Sequence, residues 1–212
     1  SASLCPAVRD GTKLGRIFRP STSNNMKTAI ALGLLLAIWT GWGSFSILST
    51  PRPSFDVLQQ LESSVELRAY GQQTWISAPK DSDNNSFRVL ASYIFGGNET
   101  GEAISMTAPV INDERMSFIL PEGMTEDSTP APSGQDIDFR SVPPRTLAVL
   151  KFGWFSGTER VDSMIEQLET VLNENEIPYS GKANLMRYND PMTPPFMRRN
   201  EVAFELLGDT EI

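Results

Sequence analysis

The chain has 212 residues, 40% hydrophobic and 21% charged, a globular composition that excludes wholesale disorder. Its net charge of −8 argues against a nucleic-acid partner, and a single cysteine, Cys5, excludes an intrachain disulfide or a multi-cysteine zinc site. The absence of histidine excludes Ser-His-Asp and Cys-His catalysis, histidine metal sites and a histidine-ligated haem.

The charge is unevenly divided. Residues 1–54 carry six basic side chains against Asp10 alone, and residues 55–212 carry 12 basic against 25 acidic. A basic tail, residues 1–27, precedes TAIALGLLLAIWTGWGSFSIL, residues 28–48, which holds no charge. As a helix this stretch would run about 31 Å, close to the bilayer core, with Trp39 and Trp42 toward one end where indoles favour the interface. Pro51 and Pro53 stop it and open a linker, residues 49–54. Two other readings of the same stretch are a buried core helix and, from Met26, the basic start and apolar run of a secretory signal peptide. For a membrane span, the positive-inside rule places residues 1–27 on the cytoplasm-equivalent side and the rest of the chain across the bilayer.

Ala29, Gly33, Ala37 and Gly41 recur every four residues and make one small-residue helix face, suited to close packing with a neighbouring helix. Residues 1–25 have no apolar periodicity, and a tail of that composition becomes ordered only against a surface. Together these features point to the lipid bilayer and the subunits of a membrane protein complex as partners.

From Phe55 the pattern changes to short alternating runs. Residues 65–70 alternate as a strand, and TWISA (74–78) is expected to pair with it across Gly71. Phe87, Leu90, Ala91, Ile94 and Phe95 follow helical spacing, stopped by Gly96-Gly97-Asn98. Strands are expected at 104–111 and 116–120, then a polar Pro/Gly loop over 121–135. The second half repeats the order: strands at 137–142 and 146–152, a helix with Val161, Ile165, Leu168 and Leu172 on one stripe, and strands at 184–188 and 201–206. Strand-strand-helix-strand-strand, twice, predicts an α+β fold curling toward a barrel.

Other motifs carry less. GWGSFS (41–46) lies in the apolar stretch and lacks the third glycine of a nucleotide loop. FSGTE (155–159) reads as a helix entry, and Asp136 and Asp138 as solvent-facing strand residues. Arg198, Arg199, Asn200 and Glu201 form the strongest polar cluster, read as a brace at a strand entry with anion or partner contact as the alternative. Met106, Tyr93 and Tyr188 read as packing residues. No nucleophile stands with a base, so the chain is not expected to be an enzyme.

Four ordered stretches then resemble one family. They are VELRAYGQQTWIS (65–77), YIFGGNETGEAISMTAPV (93–110), MSFILP (116–121) and YNDPMTPPFMRRNEV (188–202). With them the chain is similar to the SOUL/haem-binding protein family over residues 55–207, leaving 208–212 as a short tail. The resemblance implies a distorted eight-stranded β-barrel with two helices, to which the apolar N-terminal helix is added. It also implies that haem or another tetrapyrrole is held at a groove near the first helix of the domain. Mapped here, the contact residues would be Arg88, Val89, Tyr93, Ile94 and Phe95, with no histidine ligand. Plant and algal relatives occur in plastids, which suggests a thylakoid membrane with the N-terminus stromal and the domain lumenal. The expected role is a structural or accessory subunit of a membrane complex such as a photosystem. The alternative is a tetrapyrrole carrier held at the membrane.

Overall fold

The computed structural model describes residues 22–62 and 64–207. The basic side chains Arg9, Lys13, Arg16 and Arg19, and the tail 208–212, lie outside the described residues, so the expectation of an ordered tail does too.

The uncharged stretch forms one helix, α1 (Thr22–Ser49). From Asn25 to Ser49 it is long and apolar enough to cross a membrane. Ile30, Leu34, Leu35 and Ile38 are exposed along it.

The remainder folds as a nine-stranded antiparallel sheet with two helices, one strand more than expected. The strands are β1 (Phe55–Glu62), β2 (Val65–Tyr70), β3 (Gln73–Pro79), β4 (Val110–Asn112), β5 (Arg115–Ile119), β6 (Asp138–Val142), β7 (Arg145–Gly153), β8 (Asn184–Arg187) and β9 (Arg199–Glu205). The helices are α2 (Asp83–Ile94) and α3 (Thr158–Glu174). The additional strand is β1, whose FDVLQQLE sequence shows no clean alternation. It lies at the sheet edge and pairs only with β2, with register shifts at Val57/Gln59 and Gln60/Glu62. The expected strand over 104–111 shrinks to Val110–Asn112, because Pro109 has no N–H to give a ladder.

Pairing differs from the expected hairpins. The order is β1-β2-β7-β9-β8-β4-β5-β3-β6, so β2 does not pair with β3. Instead β2 pairs with β7, and β6 pairs with β3. Without β1, the order reads the same from both ends once each first-half strand is matched to its second-half counterpart. The opening strand of each half completes the sheet of the other. The pseudo-twofold centre lies between β4 and β8, where Ile111 faces Met186.

Both helices cover one face. α3 packs Leu168, Val171 and Leu172 on Leu67, Leu150, Val202 and Phe204. α2 packs Leu90, Tyr93 and Ile94 on Ile76, Met116 and Phe118. The opposite face curls inward into a half-barrel. Strands far apart in the sheet meet there, as in the Arg145 guanidinium 4.7 Å from the Trp75 ring.

Candidate functional site

Helix α2 places the five expected contact residues on different sides. Tyr93 and Ile94 are buried in the core, and the Tyr93 hydroxyl donates to the Pro130 carbonyl at 2.6 Å. Val89 is partly buried against the same cluster, whereas Arg88 is exposed and Phe95 is 68% exposed. The five residues therefore do not form one surface. Residues 89, 93 and 94 fall on the inward side of an amphipathic helix, and of the three only Ile94 belongs to the apolar spacing read from the sequence.

Two positions of the small-residue face have space beside them. Nothing lies within 4 Å of a side chain added at Gly33 or Gly41. The glycine under packing constraint is Gly43, where an added Cβ would stand 2.8 Å from Pro194 Cδ and 3.3 Å from Met197 Sδ.

Two of the motifs have conformational causes. After α2, the N–H of Gly97 reaches the Ser92 carbonyl at 2.8 Å and that of Gly96 (φ +94) reaches Tyr93, a left-handed helix stop. Asn98 then ties the turn, donating to the carbonyls of Tyr93 and Glu102 and accepting from the Glu102 amide. The Arg198–Glu201 cluster is largely the expected brace. Asn200 donates to the Trp154 carbonyl at 3.0 Å. Glu201, fully buried, accepts from Arg68, Arg199 and the Tyr188 hydroxyl, the last at 2.7 Å. Burial opposes charge on Arg68, but Glu201, Tyr70 and Glu66 together outweigh it and raise the guanidinium pKa. Desolvation, reinforced by Glu201, pushes Tyr188 well above an ordinary tyrosine.

Between α2, β4 and β8 lies a cavity of about 360 Å³. Phe87, Met106, Val110 and Met116 give it apolar walls, and Asn112 and Arg187 give it polar groups. Asn112 is 8% exposed, yet neither its amide nitrogen nor its amide oxygen has a hydrogen-bond partner. A buried amide left this way costs about 1–3 kcal/mol, which a ligand could recover. Arg187 donates to Asp83 at 2.8 Å and to Ser156 at 3.2 Å. A second cavity of about 430 Å³ shares Asp83, Asn112 and Arg187 and carries Asp113, Glu114 and Glu169. A third cavity, about 600 Å³ beside Pro51–Ser54 and Gly71–Thr74, includes no buried side chain lacking a partner. The α2–β4–β8 cavity is therefore the candidate site.

The sequence reading missed Phe87 as a cavity wall, as well as Asn112, Met116 and Arg187. One signal was legible: Asn112 shares a sheet face with Val110, where an apolar residue is the rule. Met106, expected as core, is only partly buried and lines the cavity. Asp138 is exposed, paired with Arg115 at 2.7 Å. Among the described residues no three His, Cys, Asp or Glu side chains cluster as metal ligands.

Comparison with known proteins gives a family model, "SOUL heme-binding protein", matching residues 50–205. A curated relative is human Heme-binding protein 2, 28% identical over 158 residues, covering 66% of this chain and 76% of that protein. Among solved structures, the EcmrR C-terminal domain is 13% identical with a TM-score of 0.47, covering 68% of this chain and 98% of that one. A hydrolase from Listeria innocua is 8% identical with a TM-score of 0.48, covering 76% and 95%. With a family match that takes in nearly all of the sheet and both of its helices, this chain belongs to the SOUL heme-binding protein family.

Proposed function

We propose that this protein binds haem or another tetrapyrrole in the α2–β4–β8 cavity and is held at a membrane by α1, as a binding protein and not an enzyme. The observation that carries the reading is Asn112, a buried amide with no partner in a cavity with apolar walls. Family membership supports the ligand class.

The residues present fit such a ligand. Phe87, Val110, Met106 and Met116 offer apolar and polarizable surface to a macrocycle. The cavity volume lies within the usual ligand range of about 300–1,000 Å³. Asn112 can donate to and accept from a polar substituent, and Arg187 can meet a carboxylate after leaving Asp83. Met106 and Met116 would offer thioether sulfurs, which can ligate a haem iron. The group itself would supply light absorption or redox chemistry; the chain binds and orients it.

Charge refines the class. Asp83, Asp113, Glu114 and Glu169 line the adjoining cavity, and the body of the chain is strongly acidic. Those charges oppose a dicarboxylate and favour a tetrapyrrole whose carboxyl groups are esterified or few. The proposed topology follows the charge asymmetry, with residues 1–27 on the cytoplasm-equivalent side.

Titration of the full chain in detergent micelles with haemin, haemin dimethyl ester and metal-free protoporphyrin checks this reading. A saturable absorbance shift at micromolar ligand is expected, strongest for the ester, and weaker by about tenfold in Asn112→Leu, the loss of one good hydrogen-bond site. No saturable shift for any of the three rejects it.

A further inference from the structure

We infer that the loop 191–197, with Trp154 and Phe155 beside it, forms a lipid-contacting collar immersed in the bilayer interface alongside the last turns of α1. This inference rests on the reading of α1 as a membrane span.

Four observations carry it. First, the loop is docked on the helix. Trp39 Nε1 donates to the Met192 carbonyl at 2.7 Å, Gly43 lies against Pro194 and Met197, and Ser46 Oγ donates to Asp190 at 2.7 Å. Second, helix length requires that region of α1 to lie in the membrane. Residues 28–38 span only about 16 Å at 1.5 Å per residue, and the bilayer core needs about 30 Å. The remainder must come from residues 39–48, the stretch along one side of which the loop is docked.

Third, the loop sequence PMTPPFM carries no charge, and the backbone polar groups of residues 191–195 have partners within the protein. The carbonyls of Pro191 and Thr193 accept from Arg198, that of Met192 from Trp39, that of Pro194 from the Met197 amide and that of Pro195 from the Arg198 amide. The amides of Met192 and Thr193 donate to Asp190, and Pro191, Pro194 and Pro195 have no amide to satisfy. Irregular backbone enters a bilayer only when its polar groups are paired in this way.

Fourth, the apolar side chains point outward. Met192 is 67% exposed and Phe196 53%, and Trp154 and Phe155 are exposed beside them. The Asn200 amide holds the Trp154 carbonyl, and the Arg198 guanidinium sits 5.1 Å from the Phe155 ring. On the helix, Trp42 and Phe45 are exposed as well. This apolar surface is continuous with the span, so lipid is the partner that it fits.

The sole cysteine allows a direct test. In a Cys5→Ser background, Phe196→Cys carries an environment-sensitive NBD label, and Glu174→Cys carries the same label at the far end of α3, about 25 Å along the helix. The full chain is reconstituted into phosphatidylcholine vesicles containing doxyl-labelled acyl chains. The label at 196 is expected to shift to shorter wavelength and to be quenched, and the label at 174 to do neither. If the chain fails to float with the vesicles, the span is rejected and the collar with it. If it floats but both labels behave alike, the collar alone is overturned, and the apolar surface faces protein or water.

Discussion

Both carboxylate oxygens of Glu201 lie 3.1 Å from one guanidinium nitrogen of Arg68, 133 residues away in sequence, inside the curl of the sheet. Arg68 is 2% exposed and Glu201 not at all, and Glu66, Tyr188 and Arg199 complete the pairing. A charge so placed is tolerated only with its partner. Glu201→Ala is expected to lose about 3–5 kcal/mol in urea denaturation, because it leaves the buried Arg68 with only the partly exposed Glu66 as a counter-charge. Arg68→Met/Glu201→Met removes both charges and is expected to be more stable than either single change, with a coupling above about 1 kcal/mol.

Gly43 and Gly41 offer a paired comparison on one helix. A methyl at 43 would have to displace Pro194, whereas a methyl at 41 meets nothing within 4 Å. Gly43→Ala is expected to destabilise by about 1–3 kcal/mol and to expose the 50–54 linker to protease. Gly41→Ala should leave both readouts within about 0.5 kcal/mol of the parent. Equal effects would show that the helix end is not docked on the 191–197 loop.

Asp190 ties that dock to pH. Desolvation works against its ionisation. The hydrogen bonds from Ser46, Thr193 and the amides of Met192 and Thr193 outweigh it and hold the carboxyl below its ordinary value. A depressed carboxylate pKa contributes stability that is complete above the unfolded value, about 3.9, and is lost as pH falls through the lower folded value. The melting temperature of the parent should therefore exceed that of Asp190→Asn at neutral pH. The gap should close below about pH 4. A gap that is constant from pH 7 to pH 3 would contradict this.

Asn112 separates stability from binding. Its amide has no protein partner, so Asn112→Leu should stabilise the unliganded chain by about 1–2 kcal/mol in thermal or urea unfolding. The same change is expected to weaken tetrapyrrole binding. A variant that is both less stable and unchanged in binding would assign the residue a packing role.

Much of the local structure was legible in the sequence. The α3 stripe could be read because its solvent side is charged, and Leu168 and Leu172 are indeed buried. The Gly96-Gly97 stop could be read because only glycine fits a left-handed turn with the Ser92 carbonyl 2.6 Å from an added Cβ at Gly97. β1 could not, since an edge strand with Gln59 and Gln60 buries too little to impose alternation. The site was legible only at Asn112, a polar residue among apolar ones. Tyr93 and Ile94 are buried because they lie on the stripe that packs α2 on the sheet.

By itself, then, the sequence determined the division into a basic segment, an apolar helix and an acidic domain, the duplicated order of elements, and the family. The first two are written in composition, local periodicity and short-range turn chemistry, and the family in the resemblance of four ordered motifs. Only the tertiary structure decided that β2 pairs with β7 rather than β3, that Gly43 rather than Gly41 is the packed glycine, and that Asn112 and Arg187 meet at one cavity. Those outcomes depend on which distant surfaces are brought together. Alternation along a strand specifies which face is buried, but it carries no information about which strand lies alongside.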